Sequence, residues 1–419
     1  MLEKLLGVHP NEQKRLSIFF LLNLTLAVGI TVGSTASLSL FIVRYGVQHL
    51  PLMFMLTSVL TIIVMSVYNN FLGRFSNEKY FLIILSLTAA VVLVVWRLVS
   101  ADFRPVYLFL YPAYSIITTL SYSHTFVIVY DYFDSQESKR LFPLIASGIS
   151  LGGMLGGFGV KALMKIANTQ NLFLVWFVFI VLAAVMVALI RPMGLECLVK
   201  RQDTRKKSSL GFFAGFAANC RAVMKIPMVR VLIYSTMTVT IAFFMTDFLS
   251  NKIFSRVFPE EAKLTVFLGV FTGVSSLIGL VLQMAFLSRL LARIGVANAN
   301  IIYPGFLFAG LAALLAWPAL PAACLGYFNR KFLSYSIGEP VDRLLYNSLP
   351  AQMKGRASAF IKGYIVPVST FIACAVIICI NYLFRENARL SFTVLAAAGF
   401  GVSSLCIYQR FVLKRLYSE

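Results

Sequence analysis

A chain of 419 residues in which 59% are hydrophobic and only 13% charged carries more apolar side chain than a soluble core can hold, because buried volume is limited by surface scaling. A bilayer-spanning helix needs about 20 apolar residues, and many such runs follow one another. A membrane β-barrel would alternate apolar and polar residues instead, so the class is a helical membrane protein. The net charge of +21 gathers in short segments between apolar runs. It reads as topology-setting charge rather than a nucleic-acid surface.

In chain order the runs predict spans near 16–43, 50–73, 80–100, 105–130, 141–165 and 171–190, then 231–250, 264–287, 298–318, 322–346, 358–383 and 390–409. Residues 1–15 are polar and no small-residue cleavage site follows the first span, so that span is expected to stay in the membrane. With both termini cytoplasmic, 23 of the 37 Lys and Arg fall in cytoplasmic segments and 10 outside, the bias that orients helical membrane proteins. The expected organisation is an N-terminal bundle over 1–190, a basic cytoplasmic linker over 191–230 and a C-terminal bundle over 231–419. The linker suits either a flexible connector or a helix lying flat on the leaflet.

The two halves repeat at a constant offset of 215 residues. Arg15 matches Arg230, Phe71-Leu72-Gly73-Arg74 matches Phe286-Leu287-Ser288-Arg289, Lys139 matches Lys354, and Gly148 matches Gly363. A duplicated six-helix unit of twelve spans in total resembles the major facilitator transporters, whose substrate sites lie between the halves near the midplane. Arg74 and Arg289 follow the second helix of each half, where that family carries a Gly- and Arg-rich gating loop. Here the loop reads Gly73-Arg74-Phe75 and Arg293-Ile294-Gly295. Arg74 and Arg289 are a charge latch on one reading and topology-setting arginines on the other.

Two segments carry a narrower resemblance. Glu137-Ser138-Lys139-Arg140-Leu141-Phe142-Pro143-Leu144 with Gly148, and Lys354-Gly355-Arg356-Ala357 with Pro367, resemble the segments before the fifth and eleventh helices of ATP/ADP antiporter-type nucleotide transporters. The resemblance implies a secondary carrier, a multi-pass location in a bacterial inner membrane, and gating roles for Lys139 and Lys354. The chain departs from that family near Lys362, where an acidic residue is usual.

Ionisable groups inside a span are costly and default to functional candidates. The tenth span holds Arg330, Lys331, Glu339, Asp342 and Arg343. On an α-helix Lys331, Tyr335, Glu339 and Arg343, four apart, share a face. That face suits an anion site, with Arg330 and Lys331 on a phosphate or carboxylate; internal pairing is the alternative. Lys362 adds a cation near the cytoplasmic side. His124, at the position matching Glu339, suits a coupling-proton carrier or a packing histidine. Asn23, on a hydroxyl-rich first span, suits a cavity lining or a packing role. Asp247 suits an outer gate paired with Lys252, or a solvated carboxylate. Glycines four apart over 148–156 mark a helix-packing face.

The expected substrate is a small anionic solute, nucleotides or related phosphates first, with a lipid or drug carrier as the alternative. Three histidines, no paired-carboxylate motif and no phosphate-cradling glycine loop argue against an enzyme or an ATP-driven pump. The six cysteines show no metal spacing. No cofactor, metal or nucleic acid is expected, and the partners are the solute and the bilayer around a monomer.

Overall fold

The computed structural model describes residues 9–72, 74–190, 192–193, 224, 226–282, 287–338, 341–342, 344–345, 357 and 360–418, and all structural statements below concern these. The described elements are helical and run in the order the apolar runs predict: α1 (Pro10–Leu40), α2 (Leu50–Phe71), α3 (Asn77–Ser100), α4 (Tyr107–Tyr132), α5 (Ser135–Leu163) and α6 (Leu172–Leu189). Then come α7 (Pro227–Val257), α8 (Glu261–Val281), α9 (Leu287–Ala299), α10 (Ile302–Ala316), α11 (Leu320–Phe328), α12 (Val366–Leu383) and α13 (Ala388–Ser418).

Helix ends follow local chemistry. Pro10 sits at the first position of α1, where a missing N–H costs nothing, and the Glu12 carboxylate accepts the His9 N–H at 2.9 Å. Ser76 caps α3 by accepting the Lys79 N–H. Eight stretches are long and apolar enough to cross a membrane, or nine when a pair bent by 60° (Arg293–Ala299 and Ile302–Ala316) is counted as one. The first, Glu12–Phe71, is 60 residues long. As one straight helix it would reach about 90 Å, roughly three times a hydrocarbon core. It is instead broken by a π-helical turn over Phe41–Gly46, and Gly46 takes φ 108°, a left-handed conformation that a side chain would strain.

The helices group into two compact units that interleave in sequence. The first holds Met1–Gly46, Leu60–Asp203 and Phe258–Leu280; the second holds Val47–Val59, Thr204–Val257 and Val281–Glu419. In the first, α5 meets its neighbours through small residues. A β-carbon on Gly152 would lie 2.4 Å from the Leu24 carbonyl of α1, and one on Gly157 would lie 2.4 Å from the Gly273 nitrogen of α8. Such backbone approach is how membrane helices gain packing without a hydrophobic driving force. Trp176 of α6 lies flat on α1 at Gly33, where a β-carbon would come within 2.1 Å of the indole. In the second unit α7 is central, with Leu232, Ala242, Phe248 and Leu249 fully buried and Phe244 against Phe54 of α2 at 4.9 Å between ring centres.

Candidate functional site

The tenth expected span is not one α-helix. α11 ends at Phe328 and the chain continues as a π-helix over Asn329–Gly338, and the backbone of Arg330, Lys331 and Tyr335 lies within it. A π-helix bonds i to i+5 and takes more residues per turn, so the four-residue spacing of an α-helix does not describe this backbone. Glu339 and Arg343 lie outside the described residues. Asn329, at the start of the segment, is fully buried, and neither of its amide atoms has a hydrogen-bond partner. Three π-helical elements are described, and each carries a cation: Arg44 in Phe41–Gly46, Arg330 and Lys331 in Asn329–Gly338, and Lys362 in Ile361–Ile365. Lys362 is exposed. π segments are rare and recur at functional sites.

His124 is fully buried in α4. Its Nε2 lies 2.8 Å from the Asn77 carbonyl, which only accepts, so Nε2 carries the proton. Its Nδ1 lies 2.9 Å from the Tyr68 hydroxyl. The rings of Tyr80 and Phe81 enclose it at 5.2 and 5.1 Å. Both nitrogens are thus engaged by the protein, the arrangement of a packing histidine. Asn23 donates to the Ile145 carbonyl at 3.4 Å, joining α1 to α5 where Gly148 makes room.

Beside this aromatic nest is a set of ion pairs. The Arg15 guanidinium donates to both oxygens of Glu137, at 2.9 and 3.3 Å, and to the Tyr132 carbonyl at 2.6 Å. Arg140 pairs with the buried Glu12. The pairs cross, since Glu12 and Arg15 are three apart on α1 and Glu137 and Arg140 three apart on α5. Asn77 donates to Asp131 at 2.6 Å and Tyr132 to Glu78 at 2.8 Å. Of the expected gating residues, Arg74 lies over the Phe71 ring at 4.8 Å and Arg289 is exposed. Lys139 is placed in the first turns of α5 by its backbone, and Lys354 lies outside the described residues. Arg293 and Gly295 fall in α9, where Gly295 interrupts the helix at φ 74°.

Asp247 is fully buried in α7 and accepts from Asn251 at 2.8 Å, which sets aside the solvated-carboxylate reading. Lys252 reaches Asn381 of α12 at 3.4 Å and lies over the Phe248 ring.

Arg410, near the C-terminal end of α13, is 3% exposed. It donates to Asp342 at 2.7 Å and also to Asn300, and Asn300 returns a bond to the Arg410 carbonyl at 3.2 Å. Asn300 lies between α9 and α10, at the bend. Sequence reading missed both this pair and the crossed pairs of α1 and α5. The latter left a signal, opposite charges at matching three-residue spacing; Arg410 left none.

Over more than nine-tenths of its length the chain resembles solved membrane transporters in fold. A variant of the nucleoside transporter NupG matches with a TM-score of 0.67 at 9% identity, over 94% of this chain and 98% of that one. A peptide transporter of the POT family matches with 0.65 at 14% identity, over 96% and 95%. A bacterial homologue of the lysosomal transporter Spinster, in an inward-facing and unoccupied conformation, matches with 0.61 at 13% identity, over 98% of both. The chain therefore has the major facilitator fold. No protein-family model matches its sequence, and no curated protein does.

Proposed function

We propose that this chain is a secondary carrier for a small anionic organic solute, working by alternating access in a bacterial inner membrane with both termini cytoplasmic. The observation that supports carriage is the likeness in fold, over more than nine-tenths of the chain, to proteins that are all transporters. The anionic class is supported by the cations at Arg330 and Lys331, set in a π-helical stretch of an otherwise apolar span. A guanidinium binds a phosphate or carboxylate with two parallel hydrogen bonds, and the cost of placing such charge in a span is hard to account for without a ligand. Nucleotides and related phosphates stand first, on the antiporter-like segments around Lys139 and Lys354. On this reading Tyr335, Glu339 and Lys362 complete the binding region, Arg74, Arg289, Lys139, Lys354 and Asp247 act in gating, and His124 and Asn23 serve packing between helices.

The test is uptake of labelled nucleotides and phosphate esters into proteoliposomes. Arg330→Ala and Lys331→Ala are each expected to reduce uptake at least tenfold while the protein elutes as a monodisperse species. Normal transport by both variants overturns the site.

A further inference from the structure

α8 is attached to α7, of the second unit, by only residues 258–260, yet it packs in the first unit. Its opening turns are held there in two layers. In the outer layer Arg44, at the end of the π-helical turn after α1, donates from Nε to Glu261 Oε2 at 2.7 Å, with Glu261 the first residue of α8. The same guanidinium donates from Nη1 to the Tyr107 hydroxyl at 2.7 Å and to Asp102 at 3.4 Å. Tyr107 in turn donates to Asp102 at 2.7 Å. One turn further along α8, Thr265 donates to Ser39 of α1 at 2.7 Å and lies 3.3 Å from the Thr169 hydroxyl. Ser39 and Thr265 are fully buried, whereas the Arg44 and Glu261 side chains are 30% and 21% exposed.

The cluster is not an inherited feature of both repeats. At the offset of 215 the mates of Arg44, Asp102 and Tyr107 are Pro259, Trp317 and Ala322, none of which is ionisable. One arginine thus serves three partners at this end, the end that cytoplasmic termini place outside.

We infer that Arg44 and Glu261 form the latch that keeps the outer end closed, with Asp102 and Tyr107 holding the guanidinium aimed at Glu261. Opening at this end is the departure of the first turns of α8 from α1, which breaks the ion pair and then uncovers Ser39 and Thr265. A partly exposed pair suits a reversible latch, because water takes over its bonds when it parts. This inference rests on the carrier reading.

The experiment places a single cysteine at Ser39 in a cysteine-free background and follows its labelling from outside by a membrane-impermeant maleimide. With Arg44 and Glu261 intact, labelling is expected to be slow. Glu261→Gln, which keeps the shape of the side chain, and Arg44→Lys, which keeps the charge but not the three-way reach, are each expected to raise the rate several-fold. Combining them is expected to add little, because both remove one interaction. Asp102→Asn is expected to give a smaller rise. Unchanged labelling in both single variants, or effects that multiply in the double, overturns the latch. No solute enters the measurement, so failure here leaves the carrier reading intact, and a fruitless solute screen leaves this result standing.

Discussion

Arg410 and Asp342 show how far a single charge can differ from its place in a tally. The guanidinium is 3% exposed, while the carboxylate it grips is 36% exposed on its side chain. Removing one partner of a buried pair is costly mainly through the charge left behind. Asp342→Asn strands a buried cation and is expected to cost about 3 kcal/mol. Arg410→Met strands a carboxylate that water reaches, and is expected to cost about half as much. Melting midpoints of the two variants in detergent check the ranking. Asp102 works the other way, from the surface. The hydrogen bond from Tyr107, and then the nearby Arg44, hold its carboxyl below the usual carboxylate range. A folded-state value below the unfolded one adds stability above the unfolded value, about 3.9, and that stability is lost as pH falls through the folded value. The melting difference between the native protein and Asp102→Asn is therefore expected to be present at neutral pH and to vanish in strong acid. A difference that grew on acidification would contradict the assignment.

At the scale of elements, the spans were legible because length and apolarity are what a bilayer demands. Each predicted span falls on a helical element in the same order. The π-helical stretches were not legible, since i to i+5 bonding leaves no periodic mark in so short a run. The shared face of Lys331 and Tyr335 rests on α-spacing, which the π-helical stretch Asn329–Gly338 abandons; Glu339 and Arg343 lie outside the described residues. Burial of Arg410 and Asp247 escaped for a related reason: a charge near a span end looks the same whether it turns toward water or inward. Sequence repeats also overstate structural equivalence. Gly148 and Gly363 are mates, yet a β-carbon on Gly148 would lie 2.6 Å from the Phe20 carbonyl, whereas one on Gly363 meets nothing within 4 Å. Gly148→Ala is expected to destabilise by about 1–3 kcal/mol and Gly363→Ala by less than about 0.5 kcal/mol, read as paired thermal melts. Equal losses would mean that the repeat is kept at the level of contacts as well as sequence.

Across the whole molecule, the constant offset gives the expectation of two related halves, but the grouping of helices was not legible, because it depends on which faces meet. The packing units exchange material: the opening turns of α2 group with the second unit and α8 with the first. The candidate site was readable in part, as residue types in a span rather than as geometry. The exchange bears on how the chain is made. α5 offers Gly153 and Gly157 to α8 at Ser276, Gly273 and Gly269, over a hundred residues later in sequence. Until α8 has been synthesised, this glycine-floored channel on α5 has no partner helix to fill it. Closure waits for the arrival of the eighth helix, so a nascent N-terminal half has a vacant seam that lipid or a membrane chaperone must occupy in the interval.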